Sequence, residues 1–126
     1  MALQTQGNMI GDWLKWEEDN LYSREVVTLL AGAGDLVSGT VLGKITGSGK
    51  YVQFDDTAGD GSEAAAAVLL LDTDASGSSD VEATVILREA IVSADGLTWP
   101  TTADTAETAA AVAQLEALGI QVREGA

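Results

Sequence analysis

Two side chains that carry much of enzyme chemistry are missing from this sequence. Its 126 residues include no cysteine and no histidine. Disulfides, thiolate metal sites and cysteine nucleophiles are therefore excluded. The lack of histidine also removes the commonest general base, the commonest metal ligand and every Ser-His arrangement. An enzyme is accordingly the weakest function class for this chain, and we expect no catalytic residue, no cofactor and no metal ion.

Basic residues are scarce as well. Six lysines and arginines stand against 20 aspartates and glutamates, which gives a formal net charge of −14. The six bases are scattered along the sequence, whereas binding to phosphates of nucleic acid or to an anionic membrane depends on clustered positive charge. We therefore expect neither nucleic acid nor a membrane as a partner.

Long apolar runs are also absent. The longest, at residues 64–71, is too short to span a bilayer, and the first residues lack the basic and apolar regions of a secretory signal. The length suits one domain, and an apolar content of 46% is too high for a disordered acidic tail. We expect a soluble, acidic, folded domain that is synthesised in a cytoplasm.

What the chain does contain, from residue 24 to residue 90, is mostly β pattern. Glycines at 47 and 49 predict the turn of a hairpin, and the apolar run near residue 68 is typical of a strand buried on both faces. Apolar and polar residues alternate near residue 85, which predicts one buried face. The predicted strands are residues 24–30, 40–46, 50–55, 65–72, 81–88 and, after a helix, 120–123. The predicted loops are residues 56–62 and 74–80.

One α-helix is predicted, in the alanine-rich stretch at residues 103–118. Asp104 can cap its start together with Glu107, and Gly119 can end it in a left-handed turn. Its predicted buried side consists of Val112, Leu115 and Leu118. The fold class is therefore a mainly β domain with one α-helix in the C-terminal half, an α+β fold.

The first 22 residues are unusually rich in aromatic and aliphatic side chains. Several of them could share one face of a short helix, which we expect to include Ile10, Trp13, Leu14 and Leu21. Such a helix can pack on the core of its own domain. Alternatively, the segment is an arm that docks on a partner, because tryptophan and tyrosine are enriched at interfaces. The candidate docking residues are Met9, Ile10, Trp13, Leu14, Trp16, Leu21 and Tyr22.

Two loops imitate ligand-binding motifs without completing them. The stretch from Asp72 to Gly77 copies the first half of a calcium loop, but the closing acid is replaced by Ala83, so a solvated acidic loop is the better interpretation. Residues 47–50 resemble the end of a phosphate loop but lie between two strands. Lys50 on this turn leaves open a lipoyl- or biotin-type carrier domain modified on that lysine.

From Ser23 onward the chain carries an ordered set of short motifs. They are Ser23-Arg-Glu-x-Val-Thr28, Gly34-Asp-Leu-x-x-Gly-Thr-Val-Leu-Gly-Lys44, Gly49-Lys-Tyr-Val52, Asp60-Gly-Ser-Glu-x-Ala65 and Leu118-Gly-Ile-x-Val-Arg-Glu124. In this order they resemble the bacteriophage head decoration protein family, small proteins that coat the capsids of tailed phages. The motifs are structural and not catalytic signatures. Another phage structural protein, such as a tail or fibre subunit, remains an alternative.

The resemblance implies a specific organisation and partners. It implies a β-clip-like domain at residues 23–126 that follows an N-terminal arm at residues 1–22, flexible or docked on the capsid. Homotrimers would sit at local three-fold positions on the outer surface of the expanded head, bind the major capsid protein and stabilise the shell against internal DNA pressure. The arm would carry the docking residues named above. Trp99, Pro100 and the helix that follows them are the candidate trimer contacts, with packing in the core as the other interpretation.

Overall fold

The computed structural model describes residues 10–17, 23–100 and 104–123. The helices with both ends inside these ranges are α1 (Ile10–Trp13) and α2 (Thr105–Ala117), with a 3-10 turn at Ala94–Gly96. The strands are β1 (Leu14–Glu17), β2 (Arg24–Leu29), β3 (Gly34–Leu36), β4 (Val41–Lys44), β5 (Tyr51–Gln53), β6 (Ala65–Leu69), β7 (Thr73–Ala75), β8 (Val81–Ile86), β9 (Ala90–Ser93) and β10 (Ile120–Arg123). The prediction of a mainly β fold with one substantial helix near the C-terminus is confirmed.

Five strands close into a barrel in the order β2-β5-β4-β6-β8. The predicted hairpin is present, since β4 and β5 pair antiparallel with Leu42 opposite Gln53, and Gly49 adopts a φ of 74° in the turn. The longest register joins β2 to β8, from Arg24 opposite Ile86 to Leu29 opposite Val81. A single parallel pairing of β2 with β5 completes the closure.

A second, three-stranded sheet lies outside the barrel. Its central strand is β9, antiparallel to β1 and parallel to β10. The helix α2 leads into β10 and begins with the predicted capping box, in which Asp104 and Glu107 each accept a hydrogen bond from the backbone N–H of the other. Gly119 follows with a φ of 86°, as expected. The side chain of Gln114 ties α2 to the barrel by accepting from the backbone N–H of Ala65 at 2.8 Å.

Two apolar clusters form the core. One is built by barrel strands and the β3–β7 ribbon, and it includes Leu29, Leu42 and Val85. The other lies where the barrel, the three-stranded sheet and α2 meet, and it includes Trp13 and Ile86. Val85 and Ile86 are adjacent on β8 and thus belong to different clusters. This strand is therefore buried on both faces at residues 85 and 86, whereas the alternating pattern predicted one buried face.

Several sequence-based expectations are wrong in detail. The predicted N-terminal helix ends at Trp13 because Leu14 begins a strand that pairs with Val92 of β9. The stretch at 74–80 is not all loop, since β7 pairs with β3. In α2 the buried residues are Ala111 and Leu115, and Leu118 is exposed. About six strands were expected, and the described residues contain ten.

Candidate functional site

The N-terminal segment at residues 10–17 packs on the domain. Trp13 is fully buried in the core cluster beside α2. Its indole Nε1 donates a hydrogen bond of 2.9 Å to the hydroxyl of Ser38, and that hydroxyl donates at 2.7 Å to the carbonyl oxygen of Leu70. A buried indole with its one donor satisfied is stable in an apolar site. Trp13 therefore acts as an anchor for the segment.

A salt bridge fixes the other end of this segment. The guanidinium of Arg24 donates to both carboxylate oxygens of Glu17, from Nε at 2.9 Å and from Nη2 at 2.7 Å. The hydrogen bond with Glu17 is the main reason that the pKa of Arg24 lies above its ordinary value. Because such paired contacts are the strong form of a carboxylate–arginine interaction, Glu17 is held against the first residue of the barrel.

The predicted docking residues that the structure describes differ in their exposure to solvent. Trp13 is buried, and Ile10 and Leu14 pack against the same core. Trp16 is 48% exposed. Met9, Leu21 and Tyr22 lie outside the described residues. The described part of the segment thus corresponds to the alternative of packing on its own core, with Trp16 as its outward-facing aromatic residue.

The exposure of Trp16 is explained by a bulge in β1. Leu14 lies opposite Val92 and Trp16 lies opposite Ile91, so Lys15 is an extra residue in the pairing. A bulge changes the direction in which side chains leave the strand and is common at sheet edges. Lys15 and Trp16 are consecutive and both exposed, although adjacent residues of a regular strand would face opposite ways. They form a basic and aromatic pair at the sheet edge, which we call the β1 knob.

A groove with a volume of about 680 Å³ lies beside Trp99, and we call it the Trp99 groove. Trp99 packs edge-to-face on Phe54, with ring centroids 6.2 Å apart and an interplanar angle of 83°. Both predicted trimer contacts, Trp99 and Pro100, line this groove and are partly buried. Its apolar wall is completed by Leu30, Ile45 and Val52.

Two aspartates put fixed negative charge at this groove. Asp55 accepts hydrogen bonds from the backbone N–H and the hydroxyl of Thr57, at 2.9 and 2.7 Å. Asp60 accepts the equivalent pair from Ser62, at 3.0 and 2.6 Å. The hydroxyl bonds of Thr57 and Ser62 are the main reason that the pKa of each aspartate lies below its ordinary value. Both carboxylates are therefore charged at neutral pH.

The charged side chains of the incomplete ligand motifs make hydrogen bonds and a salt bridge within the domain. Asp72 accepts from the backbone N–H of Ser38 at 2.7 Å, and Asp74 accepts from Ser76 two residues on. The amine of Lys50 lies 2.7 Å from a carboxylate oxygen of Asp80. In the described ranges, no group of three acidic side chains is placed to hold a metal ion.

A comparison of the sequence with known families gives one match over most of the chain. The sequence profile described as Bacteriophage lambda head decoration protein D matches residues 3–120. The chain belongs to this family. No individual curated protein is similar enough to count as a match.

Membership of the decoration protein family gives the coarse function. It associates the chain with the phage capsid as a structural protein that decorates the head. In the part of the chain that the structure describes, no helix is long and apolar enough to cross a membrane. For a decoration protein the features that matter are docking surfaces, and the β1 knob and the Trp99 groove are candidates for them among the described residues.

The two surfaces could be predicted from the sequence only in part. Trp16 was a candidate because aromatic residues are frequent at interfaces, and Trp99 and Pro100 were named as candidate trimer contacts. The bulge at Lys15 gave no local signal, because it depends on the register of β1 against β9. The aspartates of the groove lie in a predicted loop, and nothing in the sequence placed that loop next to Trp99.

Proposed function

We propose that this decoration protein binds the expanded phage head as homotrimers at local three-fold positions. It is made in the host cytoplasm, lies on the outer surface of the virion, contacts the major capsid protein and stabilises the shell against internal DNA pressure. The match of the family profile to residues 3–120 is the observation that carries this proposal. The absence of histidine and cysteine from the sequence is consistent with a structural role.

We also propose how the N-terminal segment contributes to capsid binding. Trp13 would have to leave the core to reach the capsid, and losing the burial of a tryptophan costs about 3–5 kcal/mol. Residues 10–17 are therefore better suited to hold the segment on the domain. The capsid contact is assigned to residues 1–8, and the predicted docking residue Met9 joins them to the packed segment. Of the other predicted docking residues, Leu21 and Tyr22 stay candidates for the capsid contact.

Co-sedimentation with expanded, undecorated heads tests the proposal. Three chains are compared: the full chain, a chain that begins at Met9 and a chain that begins at Ser23. The last lacks Trp13 and β1, so we expect it to be destabilised, and circular dichroism must establish whether it is folded. The chain that begins at Met9 keeps every described contact and is the informative truncation.

The expected result is saturable binding of the full chain at three copies per local three-fold position, with binding lost when the chain begins at Met9. Equal binding by the full chain and by the chain that begins at Met9 would mean that the capsid contact lies in the folded domain. If the full chain fails to bind heads of its own phage, the decoration function itself is contradicted. Heads packed with DNA should release it at a higher temperature when decorated, and an unchanged release temperature would argue against a stabilising role.

A further inference from the structure

The β1 knob and the Trp99 groove are complementary in chemistry. The knob presents an exposed aromatic side chain beside a lysine. The groove has an apolar wall with Trp99 and Phe54, and its charged lining residues are Asp55 and Asp60. We propose that the knob of one copy docks into the Trp99 groove of a neighbouring copy, and that this contact builds the trimer. The inference rests on the proposed homotrimer and names its interface.

The size and charge of the groove support this occupant. A cleft of about 680 Å³ is in the size range of sites for drug-sized ligands, so its volume exceeds that of an indole and part of a lysine side chain. Trp16 would lie on the apolar wall, and Lys15 would reach the two aspartates. A net charge of −14 makes two copies repel each other, so a contact between copies needs one of the few bases opposite acidic residues.

The location of the two surfaces makes the contact a head-to-tail one. The knob lies on β1 of the three-stranded sheet, whereas the groove is lined by residues of the barrel and of the loops beside it. The lining of the small cleft around Trp16 has no residue in common with the lining of the Trp99 groove. Two different patches that bind each other generate a ring when the rotation closes, and a trimer is such a ring.

Carbodiimide cross-linking tests which chains provide the two halves of the contact. A mixture of nitrogen-15-labelled and unlabelled protein is cross-linked on heads and at high concentration in solution, and the peptides are identified by mass spectrometry. We expect links from the amine of Lys15 to Asp55 or Asp60 that join a labelled and an unlabelled chain. Absence of such mixed links from both samples overturns the proposal.

Two variants test the knob and the groove separately. Trp16→Ala removes the knob, and Ala58→Lys blocks the groove with a bulky positive side chain at a lining residue. Each substitution should lower the association constant of the trimer by about tenfold or more, as expected when an aromatic anchor or the pocket that holds it is lost. Mixed together, they retain one intact contact per pair, so they should form a one-to-one heterodimer and no trimer. Leu71→Ala, at an exposed apolar residue outside both surfaces, is the control and should leave the trimer unchanged.

The outcomes distinguish this inference from the decoration function. If Trp16→Ala is folded and still occupies heads as trimers like the unmodified chain, the interface is wrong while the function stands. If the unmodified chain binds no heads but gives the mixed Lys15 links in solution, the interface stands while the function fails. If Trp16→Ala binds heads less well yet remains trimeric, the knob contacts the capsid, and the proposal is overturned.

Discussion

The burial of Trp13 leads to a strong prediction about stability. Trp13→Ala removes a fully buried indole from the core cluster beside α2 and leaves a cavity. Substitutions of this kind cost about 3–5 kcal/mol. A domain of this size is stable by about 5–15 kcal/mol in total, so the loss is a large part of its free energy of unfolding. Ser38→Ala keeps the indole but leaves its buried N–H without an acceptor, for which we expect a cost of about 1–3 kcal/mol.

Urea unfolding followed by far-ultraviolet circular dichroism measures these losses without relying on tryptophan fluorescence. At protein concentrations at which the chain is monomeric, Trp16→Ala is the matched control, because the same side chain three residues later is exposed, and we expect a loss below about 1 kcal/mol. A Trp13→Ala variant with an unchanged urea midpoint would refute the reasoning. It would mean that residues 10–17 are a loose arm in solution and not part of the core.

Three other predictions concern two glycines, the helix and the carboxylates. In Gly43→Ala the added methyl group would overlap the backbone of Ser62 and cost about 1–3 kcal/mol, whereas Gly47→Ala, in open space, should be neutral within about 0.5 kcal/mol in the same urea assay. Asp104→Ala removes the cap of α2 and should lower the free energy of unfolding by about 1 kcal/mol, and an equal midpoint would contradict the capping role. Among the described residues, four aspartates have a lowered pKa, Asp60 among them, and one glutamate has a raised pKa. The stabilisation from these aspartates is present above the ordinary aspartate pKa and is lost as pH falls through the lowered pKa values. We therefore expect the urea midpoint to decrease when the pH is lowered below about 4. An increase of the midpoint in that pH range would contradict this prediction.

The elements that the sequence predicts well are those with a strong local signal. The strands β2, β4, β5 and β8 lie within the predicted stretches because β-branched residues and glycine turns mark them locally. The helix α2 begins at Thr105, one residue after its predicted cap Asp104. In each case the deciding interactions join residues that are close in sequence.

The elements that the sequence misses depend on distant pairing. The strand β9 is only four residues long, and it exists between β1 and β10, which come from opposite ends of the chain. The strands β3 and β7 are three residues each and stabilise one another. Trp13 is a similar case, because its hydrogen-bond partner Ser38 lies 25 residues away. A local pattern could not decide between a terminal segment on its own core and an arm.

The candidate surfaces show the same limit. Aromatic composition identified Trp16 and Trp99 as interface candidates, but their surroundings come from the tertiary structure. Trp99 meets Phe54 of a segment more than forty residues earlier, and the loop of Asp55 and Asp60 completes the groove. The sequence alone therefore predicted which residues to consider and could not predict the acidic, apolar groove that they form.

The packing of residues 10–17 bears directly on the free energy of capsid binding. Ordering a free chain costs about 1–2 kcal/mol per residue in backbone entropy. If all 22 residues were loose before binding, the capsid contact would have to offset this cost for the whole arm. Eight of them are already ordered by Trp13, β1 and the Glu17–Arg24 salt bridge, which removes about 8–16 kcal/mol from that cost. The proposed contact at residues 1–8 then has a smaller cost to offset. In the proposed trimer three such segments would act together, because the first to bind raises the effective concentration of the others.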